Sequence, residues 1–312
     1  MAHFLITGGA GFIGSHTAEL LLAQGGRVTV LDNLSNGKLD NLAAATARHG
    51  SALKIITADV RDAAAVDAAA AGCDAVLHLA AQVSVQSSVA DPVTSAAHNI
   101  TGFLNVLDTV RRLQIPRMVY ASSAAVYGQP ARVPLSEEDT PAPLSPYGLE
   151  KFINDQYARL YGELYGVSAA GMRYFNVYGP RQDPRSPYAG VISKFADALM
   201  SGTPLRIFGD GRQTRDFIYV GDVADANARV LASGARGVFN VGTGRSVSLL
   251  QLVDAMGQAF GATPQVRHEP PAAGDILHSA TTGQRLAGEL QWQAQVPLVQ
   301  GLRALADAMR AA

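Results

Sequence analysis

The sequence predicts an α/β protein, a doubly wound parallel sheet followed by a smaller mixed α/β substrate domain. Three observations lead there. Short apolar runs rich in β-branched residues, at 4–7, 28–31, 53–57, 75–79, 118–122 and 167–173, alternate with longer helical patterns such as 12–24, 91–113 and 145–165. Strands separated by helices imply right-handed crossovers and helices on both faces of the sheet. A glycine-rich turn joins the first strand to the first helix. After about Asn176 the alternation stops. Glycine and proline then cluster, at Gly179-Pro180, from Pro184 to Pro187, at Gly209-Asp210-Gly211, at Gly242-Thr243-Gly244 and at Pro270-Pro271, with a helix expected over 188–200. Residues 1–175 are read as the sheet domain and 176–312 as a smaller one over the carboxyl edge, where such sheets bind ligands. Segments 216–220 and 238–241 are apolar enough to return to the large sheet.

Bulk properties exclude several classes. The chain has 312 residues, 48% apolar and 16% charged, enough to bury a large core. A formal net charge of -1 lacks the basic excess of a nucleic-acid binder. The single cysteine, Cys73, rules out an intrachain disulfide or a multi-cysteine metal site and is expected to be an inert core thiol. The chain opens directly on a strand, and the alanine-rich stretch 63–81 is broken by Asp67, Asp74 and His78, so no membrane span is expected. The expectation is a soluble, cytoplasmic protein without a nucleic-acid or membrane partner.

Gly8, Gly11 and Gly14 stand in Thr7-Gly8-Gly9-Ala10-Gly11-Phe12-Ile13-Gly14, between strand and helix. Such glycines allow a tight turn, close approach to a pyrophosphate and close helix–strand packing, with the helix N-terminus facing the phosphate charge. Asp32 ends the second strand, where a carboxylate accepts hydrogen bonds from an adenosine ribose and repels a 2′-phosphate. The set reads as a Rossmann site for NAD rather than NADP. Asp59 and Val60 after the third strand are placed to meet the adenine; Leu79, Ala80 and Ala81 after the fourth are placed near the phosphates.

Tyr147 and Lys151 are four apart on the helix opened by Ser145-Pro146 and share one face. An exposed aromatic and a lysine at helical spacing are commonplace. The strand before them, however, ends in Ser122-Ser123 at the same carboxyl edge. Ser123 can hold a substrate oxygen while Tyr147 takes its proton, and a neighbouring ammonium and a positive nicotinamide both favour the phenolate. Tyr147 and Lys151 thus read as the proton-moving pair of a hydride-transfer enzyme, with Lys151 also placed to bond the cofactor ribose.

With these residues in hand, the chain resembles the extended branch of the short-chain dehydrogenase/reductase superfamily, and most of all its UDP-sugar 4-epimerases. The likeness rests on the glycine turn, Asp32-Asn33-Leu34, residues 78–81, residues 122–128, the Tyr147/Lys151 pair, residues 173–180 and residues 215–222. It implies cofactor contacts at Phe12, Ile13, Asn33, Ser35, Gly37, Asn99 and Tyr174. It implies that Asn176 and Arg215 bind the sugar diphosphate, that the Phe208 backbone binds uracil, and that Ser84 and Asp275 contact the substrate. The plain alternative for Arg215 is an ion pair with Asp216 or Asp222. Related dehydratases carry an Asp-Glu pair after the serine and decarboxylases a Glu; this chain has Ala124-Ala125, which offers nothing to protonate a leaving hydroxyl. The resemblance therefore implies epimerisation at C4 through a 4-keto sugar, with NAD tightly held and not consumed.

Two departures bear on the substrate. Most relatives have a second diphosphate arginine where this chain has Ala272, with Arg267 the nearest basic residue upstream, and Thr281-Thr282 replace a usual acid. Ser279 matches a gatekeeper that is a bulky tyrosine in glucose/galactose-restricted epimerases, so room for an acetamido group is implied. A uronic-acid sugar, met by Arg185 or His278, is an alternative. A net nucleotide-sugar reductase or dehydrogenase, and a regulatory module that has lost its chemistry, are the other readings. The helices at 91–113 and 145–165 resemble the pair that forms a four-helix homodimer interface in this family.

Overall fold

The computed structural model describes residues 1–183, 190–271 and 276–311. In the first half, β1 (His3–Thr7), β2 (Arg27–Asp32), β3 (Leu53–Thr57), β4 (Ala75–His78), β5 (Arg117–Ser123) and β6 (Ala169–Tyr174) stand where the apolar runs predict strands. Downstream, β7 (Asn176–Tyr178), β8 (Leu205–Phe208), β9 (Thr214–Arg215) and β10 (Phe217–Tyr219) are short, and β11 (Gly237–Val241) returns to the large sheet. The order across that sheet is β11-β6-β5-β4-β1-β2-β3, with every neighbouring pair parallel. The direction of winding reverses between β1 and β4, and such a reversal opens a crevice at the carboxyl ends.

The expectation that 216–220 joins this sheet is corrected. The edge position beside β6 is taken by β11, and β10 instead pairs with β7 in a separate two-stranded sheet. Fully buried Asp216 anchors that departure by accepting hydrogen bonds from Thr243, Gly244 and Thr281.

Between the first strands lie α1 (Phe12–Ala23), α2 (Ala43–His49), α3 (Ala63–Ala70), α4 (Val85–Ala90), α5 (Pro92–Ala96), α6 (Gly102–Arg112) and α7 (Pro146–Tyr165). The helix expected over 91–113 is therefore interrupted: a π-helical turn, Ala97–Thr101, separates α5 from α6. After β7 come α8 (Val191–Met200), α9 (Val220–Ala232), α10 (Leu249–Phe260), α11 (Gln284–Leu290) and α12 (Leu298–Ala311), with β12 (Val247–Ser248) pairing β9 and β13 (Val266–Glu269) pairing β8. The start expected for α8 at Tyr188 lies outside the described residues.

Strand side chains alternate faces, so each strand feeds two cores. Ile6, Val30, Leu77 and Val119 enter one; Leu5, Leu31, Val76 and Met118 enter the other, together with Cys73. Burial pushes the Cys73 thiol up to about 11, an inert thiol at neutral pH. A third core, with Phe195, Ile207, Leu252 and Leu302, joins α8, β8, α10 and α12.

Helix α7 carries Tyr147 and Lys151. Ser145 caps it by accepting from the Gly148 amide, and Gly166 ends it in a left-handed conformation. Asp155 pins it to the sheet. The Asp155 carboxylate, 4% exposed, accepts from Tyr120 and Ser122 of β5 and, at 3.0–3.1 Å, from two nitrogens of Arg173 on β6. Removing one partner of such a buried pair leaves the other charge uncompensated. Asp155→Ala is expected to lower unfolding stability by about 3–5 kcal/mol, read from urea denaturation midpoints.

Candidate active site

A cavity of about 920 Å3 follows the carboxyl edge of the sheet. Gly8, at φ +70°, could not carry a side chain, because a Cβ there would lie 2.7 Å from the Ala80 amide nitrogen. A Cβ on Gly14 would overlap the Gly8 carbonyl oxygen. The turn is thereby pressed against the loop after β4, and the first turn of α1 starts without a side-chain cap. Gly11, Phe12 and Ile13 line the cavity at that uncapped helix end, a site suited to a pyrophosphate.

Asp32 lies beside this turn, and its two oxygens accept from the Ala10 amide at 2.9 Å and the Leu34 amide at 2.8 Å. Gly37 packs so close that a Cβ would sit 2.8 Å from an Asp32 oxygen. A fixed, enclosed carboxylate can accept from a ribose but leaves no place for a 2′-phosphate. Asn33, Ser35 and Gly37 line the same end, with Val60, Leu79, Ala80 and Ala81. The residues present therefore fit NAD.

Sequence reasoning missed the rim of this end. Arg181, Gln182 and Asp183, from the segment after β7, also line the cavity. They are tied to the first domain by Lys38 to Asp183 at 2.7 Å, Glu19 to Arg181 at 2.7 Å, and His16 Nε2 to the Pro180 carbonyl at 3.1 Å. These are loop residues brought together by tertiary structure, and no local motif announces them.

At the other end Ser123, Tyr147, Lys151 and Tyr174 line the cavity beside Ala124 and Ala125. The Ser123 hydroxyl accepts from the Ala125 amide at 3.1 Å and lies close enough to the Tyr147 phenol to favour its ionised form. The Lys151 Nζ donates to the Ala121 carbonyl at 3.0 Å and sits 5.8 Å from the Tyr147 ring centre. Burial draws the Lys151 ammonium down to about 8, opposed by Asp155 and Glu150. Burial lifts the Tyr147 phenol above its ordinary value, opposed by Ser123 and reinforced by Glu150. In the chain alone desolvation dominates at that phenol, and the Lys151 ammonium bonds a backbone carbonyl. His78, buried and bonded to Thr7, is held neutral, its value brought down to about 3 by burial.

Asn176 and Arg215 line the cavity near Ser279. The Ser279 amide bonds the Thr214 carbonyl, so Ser279 and Arg215 are placed by one short pairing of chain segments. Arg215 donates to the carbonyls of Thr214 and Leu277, while Asp216 and Asp222 accept from other groups, Asp222 from the amides of Gln295 and Val296.

Four expected contacts do not line the cavity. Asp59 is gripped by Arg61, which holds its carboxyl far below the usual range, and it orients Asn33. Ser84 caps α4 by accepting from the Ser87 amide, and its neighbours Val83 and Val85 face the cavity instead. Asn99 is buried behind the loop that carries Gln82. Phe208 stands on β8 with its carbonyl taken by Gln213. Arg267 turns to Glu269 at 3.1 Å and His278 to Thr214, so neither faces the cavity. Asp275, Ala272 and Arg185 lie outside the described residues.

Residues 4–242 match the NAD dependent epimerase/dehydratase family. The chain belongs to this family. A UDP-glucose 4-epimerase of Mycolicibacterium smegmatis is 39% identical over 306 residues, covering 96% of this chain and 95% of that one. A UDP-N-acetylglucosamine 4-epimerase from Methanobrevibacter ruminantium, solved with UDP-N-acetylmuramic acid, superposes with a TM-score of 0.95 at 36% identity over 99% of this chain and 98% of that one. A Thermus thermophilus UDP-glucose 4-epimerase solved with NAD gives 0.90 at 38% identity, covering 99% of both chains. The protein is an NAD-dependent epimerase of the extended short-chain dehydrogenase/reductase superfamily. Among the described residues no helix is long and apolar enough to cross a membrane.

When bound, NAD supplies a hydride acceptor and a positive ring. Beside it the chain presents a hydroxyl at Ser123, a phenol at Tyr147 and an ammonium at Lys151. Because the Lys151 value lies near 8, its charge is present below that pH and lost as pH rises through it. Turnover is expected to fall above about pH 8. In Lys151→Arg, whose guanidinium stays charged, the alkaline fall should vanish while the maximal rate drops about 10–100-fold. A pH–rate profile of both forms decides it.

Proposed function

We propose that this epimerase interconverts the C4 epimers of a UDP-hexose through a 4-keto sugar and accepts N-acetylated sugars. The observation that carries the reading is the pairing of Tyr147 and Ser123 with Ala124-Ala125 at one cavity end. The acidic residues lining the cavity, among those described, are Asp32 and Asp183, and both sit at the glycine-turn end. Dehydration needs an acid at the leaving hydroxyl, and alanine cannot provide one. Tyr147 removes the proton from O4 as C4 is oxidised. The ketone turns over, and the proton returns from Tyr147 as C4 is reduced on its other face.

Asn176 and Arg215 are assigned to the diphosphate, a role suited to the forked guanidinium donors. Ser279 at the cavity wall leaves room for a C2 acetamido group. The purified protein, without added cofactor, is expected to epimerise UDP-N-acetylglucosamine and UDP-glucose, followed by chromatography of the sugar nucleotides. Ser279→Tyr should lose the acetamido activity by tenfold or more, about one well-placed clash, and keep UDP-glucose turnover. Inactivity on both sugars and on UDP-glucuronate would refute the assignment.

We further assign a homodimer to the helical segments 91–113 and 145–165, which fold as α5, the π turn, α6 and α7. Val93, Leu113, Leu149, Leu160 and Leu164 in these segments are exposed. Sedimentation should show a dimer, and a Leu160→Glu/Leu164→Glu variant a folded monomer.

A further inference from the structure

Helix α7 has a second polar face, which the reaction leaves unused. Glu150 is 3% exposed, and its Oε2 accepts from the Ser95 hydroxyl at 2.9 Å and the Asn99 amide at 2.6 Å. Its Oε1 has no partner among the described residues. One turn on, Asn154 is 1% exposed; it donates to the Asn99 carbonyl at 3.0 Å, and its Oδ1 also lacks a partner among the described residues. Burying a carboxylate is unfavourable, so a fold that needed only to fill this space would place a leucine here.

The side-chain hydrogen bonds of Glu150 and Asn154 go to Ser95 of α5 and to Asn99 of the π turn Ala97–Thr101. Such turns displace backbone groups from the regular ladder, and here the Asn99 carbonyl takes a side-chain donor. The Asn99 side chain then grips the loop after β4 from behind. Its Oδ1 accepts from the Gln82 amide at 2.8 Å, and its Nδ2 donates to the Gln82 carbonyl at 2.9 Å. Ala80, Ala81 and Val83, on either side of Gln82, line the cavity, and Ala80 is the residue pressed against Gly8.

We propose that Glu150 is a positioning residue: acting through Asn99, it holds residues 80–83 against the dinucleotide and in register with the helix that bears Tyr147 and Lys151. The role is the same whichever UDP-sugar is the substrate. Glutamine is the discriminating replacement. Its amide oxygen still accepts from Ser95 and Asn99. Leucine fills the volume and leaves both donors without an acceptor.

The test reads NAD release from the purified holoenzyme, by chromatography of protein-bound and free cofactor over time, with urea midpoints alongside. Glu150→Leu should release NAD about 10–100-fold faster than the parent, and Glu150→Gln within about threefold of it. Asn99→Leu should match Glu150→Leu, and the double variant should add no more than about twofold, since both act through one contact. Wild-type retention in Glu150→Leu, a glutamine variant as leaky as the leucine one, or rates that multiply in the double variant would each overturn the assignment. If Glu150→Leu does not fold, Ser95→Ala removes one of the two donors to Oε2 and should speed release about tenfold. Unchanged release there overturns the assignment equally.

Discussion

The reaction end of this protein depends on one buried carboxylate. Tyr147, Lys151 and Asp155 stand four residues apart along α7, so one stripe of the helix faces the sheet. The first two look into the cavity, and the third is locked to β5 and β6 by Tyr120, Ser122 and Arg173. Burial pushes the Asp155 carboxyl up, and the Arg173 guanidinium works against that shift. With the lower part of the stripe fixed, the Tyr147 phenol has a defined height above the strand that ends in Ser123. Other contacts along α7 refine that placement.

At this end desolvation raises the Tyr147 phenol and lowers the Lys151 ammonium to about 8, so in the chain alone the phenol stays protonated beside a lysine that is still charged at neutral pH. A cationic ring bound beside them would favour the phenolate at Tyr147. His78 does not compete, because burial keeps it uncharged.

Much of this was legible in the residues. The strand runs and the glycine turn pointed to the sheet, because continuous apolar runs and backbone-only turns are local properties. The two alanines after Ser123 narrowed the chemistry by what they lack. Other features are not local. Ser84 looked like a substrate contact, yet its hydroxyl serves a helix cap and the flanking valines turn inward. Asn99 and Asp59 act one layer behind the cavity, and spacing along the chain does not distinguish a wall from its support. The rim at 181–183 comes from a segment more than 140 residues from its partner Lys38, so only the fold brings them together. Asp216–Val220 read as sheet because apolarity does not say which edge is already occupied.

The π turn between α5 and α6 has a meaning for how such a chain can change. Loops absorb added or lost residues, whereas a helix counts them: each residue turns the helix by about 100°. Removing one residue within 97–101 would restore an unbroken α-helix, a gain in local regularity. It would also swing Ser95 and all of α5 out of phase with Asn99 and α6, and the grip on Gln82 and Glu150 would be lost. The irregular turn is therefore a phase-setting element, and chain length at this point is as constrained as residue identity.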